Sequence, residues 1–135
     1  MTVSRHVASD GWPLRRFDWP SEGGTRGGLL FQSGRGDIFE KYLETFAHWH
    51  RDGWTLAGFD WRGHGGSGRI DHAGGLAQEF APSVADLAGQ WDAWRANTPG
   101  PHVLGGHSMG GYLALRAVME GAVTPDAMVL VAPML

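Results

Sequence analysis

The sequence contains no cysteine, which excludes disulfides, thiol nucleophiles and thiolate metal sites. It also has no excess of positive charge. Eleven lysines and arginines face 14 acidic residues, for a net charge of -3, and no basic run is present to track a phosphate backbone, so no nucleic-acid partner is expected. No apolar stretch approaches the roughly 18 residues that read as a membrane span. Met1-Thr2-Val3-Ser4-Arg5-His6 leads into polar sequence and not into the apolar core of a signal peptide. The expected location is the cytoplasm, with peripheral contact at the inner membrane left open. Histidines and carboxylates show no metal-ligand spacing such as HExxH, so neither a metal nor another cofactor is expected. Internal repeats and low-complexity stretches are missing as well.

What is present is ordinary for a globular chain. Of 135 residues, 42% are apolar, enough for one domain with a buried core. The seven tryptophans are expected mainly in that core, and a lipid-facing role for some stays open. Along the chain, Asp10-Gly11 between His6-Val7-Ala8 and the run from Leu14 to Trp19 is a hairpin signal. Gly28-Leu29-Leu30-Phe31-Gln32 is a compact apolar run entering a flexible turn, Ser33-Gly34-Arg35-Gly36. Asp37 and Glu40 form a capping-box-like pair ahead of a helix marked by Phe39, Leu43, Phe46 and His50 and stopped at Gly53. Trp54 to Asp60 reads as the next strand, followed by a glycine-rich loop from Arg62 to Gly68. Pro82 opens a helix whose buried face is Val84, Leu87, Trp91 and Trp94. A strand from His102, a helix over residues 112–118 and a last strand from Ala127 to Ala132 complete the order. Alternating strands and helices fold into a parallel sheet with helices on both faces, and sites in such sheets lie at the carboxyl ends of the strands. Residues 32–36, 60–68 and Ser108 all fall at those ends.

Ser108 is the centre of Gly106-His107-Ser108-Met109-Gly110, a GxSxG match. With a strand before it and a helix after it, the serine is forced onto a tight corner that lifts its hydroxyl above the sheet, where a base can take its proton and a carbonyl can reach it. Glycines on both sides let the backbones approach without a Cβ between them. A phosphate loop would require a Gly-Lys-Ser or Gly-Lys-Thr ending, and the segment has no lysine.

With the elbow placed, the chain resembles the α/β-hydrolase superfamily, and within it the bacterial lysophospholipase and monoacylglycerol lipase branch. The likeness rests on Ser33 to Asp37 continuing through Glu40-Lys41-Tyr42, on Asp60-Trp61-Arg62-Gly63-His64-Gly65-Gly66-Ser67-Gly68, on Gly106 to Gly111, and on Ala132-Pro133-Met134-Leu135. It implies an α/β-hydrolase fold with an N-terminal antiparallel hairpin, and Ser108 as nucleophile of an ester hydrolase acting on lysophospholipid or monoacylglycerol. The implied oxyanion hole is formed by the backbone amides of Met109 and Arg35, each worth on the order of 3 kcal/mol in the barrier. Gly34, Gly36, Gly106, His107 and Gly110 are implied as elbow and loop support. The family usually opens this loop with His-Gly, where this sequence has Ser33-Gly34. The resemblance also orders the triad as serine, acid, histidine along the chain. It therefore implies that acid, histidine, substrate cap and last strands follow Leu135, making residues 1–135 the N-terminal portion of a single domain that is inactive alone.

The remaining polar residues have humbler expected roles. His64 and Asp60 are expected to anchor their loop, and the His107 ring is expected to point away from Ser108. His64 and His102 would be the first bases to consider if the chain were active by itself. The partner expected is a small lipid ester, and no protein partner is evident. Two alternatives stay open: another reaction of the superfamily, on a carbon-carbon or amide bond, and a non-catalytic domain binding an apolar ligand or a partner at its open sheet edge.

Overall fold

A computed structural model describes residues 1–68 and 80–134. Leu135, the end of the fourth motif, lies outside the described residues. Strands β1 (Thr2–Val7) and β2 (Pro13–Trp19) form the antiparallel hairpin, with His6 opposite Leu14. Its turn is closed by the Ala8 amide donating to the Trp12 carbonyl at 2.8 Å, and Gly11 takes the φ of 87° that a side chain would resist. The chain continues through β3 (Gly27–Gln32), a 3-10 turn (Phe39–Tyr42), α1 (Leu43–Arg51), β4 (Trp54–Phe59), α2 (Ala81–Arg95), β5 (His102–His107), α3 (Met109–Met119) and β6 (Ala127–Val131). The six strands lie in the order β1-β2-β4-β3-β5-β6; β2 pairs antiparallel with β4, and the remaining pairs from β4 to β6 are parallel. No helix among the described residues is long and apolar enough to cross a membrane.

The apolar alternation of the strands divides the core in two. Leu29 and Phe31 face one side with Phe17, Phe39 and Phe46, while Leu30 faces the other with Leu87, Trp91, Leu104 and Leu113. A pleated strand presents successive side chains to opposite faces, and β3 is buried at every position because helices cover both. Trp61, Trp91 and Trp94 are core residues, and Val84, Leu87, Trp91 and Trp94 are the buried stripe of α2, with Pro82 in its first turn. On β6, Met128 and Leu130 pack on the core while Val129 and Val131 stay 41% and 45% exposed, so this strand is the apolar edge of the described sheet.

One expected detail is corrected. Asp37 and Glu40 do not cap the helix: the first turn is 3-10, Ile38 stands at its N-cap and no side chain caps it. Asp37 bonds Lys41 Nζ and the Tyr42 hydroxyl, both at 2.8 Å, and Glu40 takes the Arg15 guanidinium at 2.7 and 2.8 Å. Both carboxylates are thus taken up by side-chain donors.

Two arginines fix the loop after β4. Asp60, fully buried, accepts from Arg15 Nε at 2.7 Å and the Gly66 amide at 2.9 Å on one oxygen and from the Phe39 amide at 3.1 Å on the other. Arg62 bonds Asp86 of α2 at 2.7 and 2.8 Å and Asp10 of the hairpin turn at 2.9 and 3.2 Å. Hydrogen bonds to Asp86 raise the Arg62 pKa against the desolvation of its burial, with Asp10 adding to them, so it stays charged. Removing one member of a buried pair leaves the other uncompensated. Asp60→Asn is expected to lower the unfolding free energy by about 3 kcal/mol, the lower end of the range for such losses because Glu40 remains with Arg15. Urea unfolding of the two proteins side by side measures it.

Candidate active site

β5 ends at His107 and α3 begins at Met109, leaving Ser108 alone in the corner with φ 52° and ψ -118°. A left-handed φ is costly for a side-chain-bearing residue and persists only where the surroundings fix it. Here the Ser108 amide donates to the Val131 carbonyl, and the Ser108 carbonyl accepts from the Tyr112 and Met134 amides, all at 3.0 Å. The glycines are required by contact. A Cβ on Gly106 would lie 2.5 Å from the Gly110 carbonyl carbon, and one on Gly110 would lie 2.4 Å from the Ser33 carbonyl oxygen. Ser108 is half-buried, and among the described residues no hydrogen bond reaches its Oγ.

The loop after β3 lies against this corner. A Cβ placed on Gly34 would be 3.4 Å from Ser108 Cβ and 3.4 Å from His107 Nδ1. Gly36, at φ 74°, turns the loop. Arg35 and Met109 line one small crevice, with Trp61, His64 and Phe80 around it. Met109 is the first residue of α3, so its amide has no intrahelical acceptor and sits at the positive end of the helix dipole. The two segments expected to supply oxyanion amides are thus adjacent.

Ser33 does not support the loop through its side chain: its Oγ is buried without a hydrogen-bond partner among the described residues. Support comes from residues the sequence did not single out for it. Trp61 Nε1 donates to the Ser33 carbonyl at 2.8 Å. The Tyr42 hydroxyl is 2.9 Å from His107 Nδ1 and 2.8 Å from Asp37 Oδ2, and the Gly34 amide approaches it at 3.4 Å. The only sequence signal for Tyr42 was its place in the first of the four motifs. Burial and the hydrogen bond to Asp37 push the Tyr42 pKa from 10.0 up to about 12. Burial acts to raise the Asp37 pKa, but hydrogen bonds from Lys41 and Tyr42 outweigh it and the net shift is downward.

The other candidate residues have their own partners. Asp60 is a loop anchor. His64 Nδ1 donates to the Arg62 carbonyl at 3.0 Å, which ties the ring to its own loop, and its Nε2 is buried without a partner among the described residues. The His107 ring is turned to Tyr42. His102 opens β5 at the end opposite the elbow, with Nε2 2.6 Å from the Thr98 carbonyl, so it does not approach Ser108. Among the described residues no three histidine or carboxylate side chains gather to hold a metal ion.

The sequence model of the family described as "Serine aminopeptidase, S33" matches residues 23–135. Among solved structures, the chain is similar to N-formylmaleamic acid deformylase from Pseudomonas putida S16, with TM-score 0.77, 20% identity, and coverage of 98% of this chain and 47% of that one. It is similar to an esterase from Exiguobacterium antarcticum, with TM-score 0.78, 17% identity, and coverage of 98% and 46%. An α/β-hydrolase from Penicillium sp. sh18 matches with TM-score 0.78, 22% identity, and coverage of 98% and 45%. The chain spans about half the length of these structures. No curated protein matches it.

The raised Tyr42 pKa has a defined sign. The folded state holds the phenolic proton more tightly than the unfolded chain does, so this stabilisation is complete below pH 10 and is lost as pH rises toward about 12. The stability difference between the wild type and Tyr42→Phe is expected to shrink over that window, as read from urea midpoints at successive alkaline pH values.

Proposed function

The chain belongs to the serine aminopeptidase S33 family and has its α/β-hydrolase fold, and on that premise we propose that Ser108 is the nucleophile of a hydrolase that cleaves carboxylic esters. The observation that carries this reading is the isolated serine at φ 52° between β5 and α3, beside the crevice shared by Arg35 and Met109. In the proposed reaction Ser108 Oγ attacks the ester carbonyl carbon and gives its proton to a general base. The negative charge then passes to the carbonyl oxygen, facing the Met109 and Arg35 amides. Collapse expels the alcohol, which takes a proton, and leaves an acyl group on Ser108. Water attacks that ester in the same way and releases the acid. Fixed amides act here because the charge they meet exists only in the transition state.

For the substrate we propose a monoacyl lipid, lysophospholipid or monoacylglycerol. The support is the resemblance of four sequence stretches to that branch, together with an esterase among the similar structures. The family description favours a second reading, amide cleavage by the same elbow. A panel of monoacylglycerol, lysophospholipid and aminoacyl-amide substrates given to the whole protein separates the two, and turnover of the amides alone would reject the ester.

Two outcomes follow for the whole protein. Ser108→Ala is expected to abolish cleavage of a short p-nitrophenyl ester while leaving the unfolding midpoint nearly unchanged, since one half-exposed oxygen is removed from a turn held by backbone bonds. Substantial residual turnover would reject this nucleophile. Gly34→Val places carbon where Asp37 Oδ2, His107 Nδ1 and Ser108 Cβ already crowd at 3.1 to 3.4 Å. It is expected to lower kcat by at least about tenfold with a smaller change in KM. The reverse pattern would make the loop a substrate-binding element.

A further inference from the structure

We propose that Tyr42 is a positioning residue for the oxyanion site, its hydroxyl locking the loop that carries Arg35 to the elbow that carries Met109. The valences of one oxygen lead to this. A tyrosine hydroxyl has one proton to give and two lone pairs to fill. Asp37 Oδ2, 2.8 Å away, belongs to a carboxylate already paired with Lys41 and can only accept, so the Tyr42 proton goes there. The Gly34 amide can only donate, and takes one lone pair at 3.4 Å. His107 Nδ1, at 2.9 Å, is left with the other lone pair and must be the donor. The structure therefore assigns the neutral His107 ring its proton on Nδ1 and a bare Nε2.

The geometry gives the bond its use. Gly34 immediately precedes Arg35, and His107 stands two residues before Met109, so one oxygen joins the two strips of backbone that carry Arg35 and Met109, both residues of the crevice wall. Ser33, where the related loops open with histidine, contributes no side-chain bond of its own among the described residues. Tyr42 reaches the junction from the turn before α1. Its ring is held by Phe31 and Phe46 with centroids at 5.6 and 6.0 Å. Phenylalanine fills the same space, so Tyr42→Phe removes the lock and keeps the packing.

The first arm of the test uses the whole protein and needs no activity. Nitrogen-15 NMR of the histidine rings, at a pH where they are neutral, is expected to show His107 with a protonated Nδ1 in the wild type. In Tyr42→Phe the proton is expected to move largely to Nε2. Lys41→Ala, which removes only the exposed partner of Asp37, is expected to leave the His107 pattern in place. A wild-type ring protonated on Nε2, or a pattern unchanged in Tyr42→Phe, would overturn the assignment. The second arm rests on the reading of Ser108 as nucleophile and uses the whole protein. Tyr42→Phe is expected to lower kcat about tenfold with KM unchanged, because a misplaced amide is felt only as charge develops. An unchanged kcat, or a loss confined to KM, would overturn the positioning role. Turnover that survives Ser108→Ala would instead reject the nucleophile and leave the NMR result standing.

Discussion

The buried carboxylate of Asp60 is the constraint on which the carboxyl edge of the sheet depends. A charge taken fully out of water must be compensated where it lies, and the residues that compensate it come from three places: Arg15 on β2, Gly66 in the glycine loop and Phe39 at the turn before α1. Satisfying one side chain therefore fixes the hairpin, the loop and the start of the helix relative to one another. Arg15 extends the network to Glu40, and Arg62 repeats the device from the opposite side by joining the loop to α2 and to the hairpin turn. Apolar burial alone would hold these elements together, but it is not directional and would leave their mutual angles loosely set. The ion pairs supply direction. The crevice beside Ser108 inherits its shape from them, since Trp61 and His64 in its wall belong to the clamped loop.

Beside this clamped loop the elbow carries a local conflict. Ser108 occupies a φ that serine avoids, and it does so because the Val131 carbonyl, the Met134 amide and the first turn of α3 leave its backbone no alternative. Gly106 and Gly110 remove the side chains that would otherwise collide there. Places where local preference and global fold disagree are where function is sought. The disagreement here coincides with a hydroxyl that has no hydrogen bond among the described residues, a helix N-terminus and the loop after β3.

Much of this was legible in the sequence because it follows from periodicity. The six strands, the three helices and the elbow each leave a local pattern, and the two-fold alternation in β3 by itself separates Leu29 and Phe31 from Leu30. Strand order, by contrast, is a property of long-range pairing, and only the rule placing sites at carboxyl ends anticipated which loops would meet. The Asp37 and Glu40 pair misled because a capping signature does not reveal competing partners: Arg15 lies far back in the chain and Lys41 and Tyr42 close by. The same blindness hid the support given by Tyr42 and Trp61. A side-chain hydrogen bond to a residue tens of positions away leaves no spacing to detect. The departure at Ser33 was the clue that something else must hold the loop.

The charge chemistry at Ser108 sets the last requirement. A serine hydroxyl is a poor nucleophile at neutral pH until a base takes its proton, and among the described residues no histidine is hydrogen-bonded to Ser108 Oγ. His107 gives its Nδ1 to Tyr42 and His64 gives its Nδ1 to the Arg62 carbonyl, while His102 sits at the far end of β5. His6 bonds Ser4 on the hairpin, His50 bonds the Pro20 carbonyl, and His48 Nε2 lies 3.6 Å from Asp52 at the end of α1. The described residues thus hold the proposed nucleophile and the groups that would meet the developing negative charge, and no base among them is hydrogen-bonded to Ser108. A base in the proposed reaction needs an open approach to the half-buried Ser108. That approach is compatible with the Tyr42 lock, because the lock joins His107 to the turn before α1 and takes no bond from the Ser108 hydroxyl.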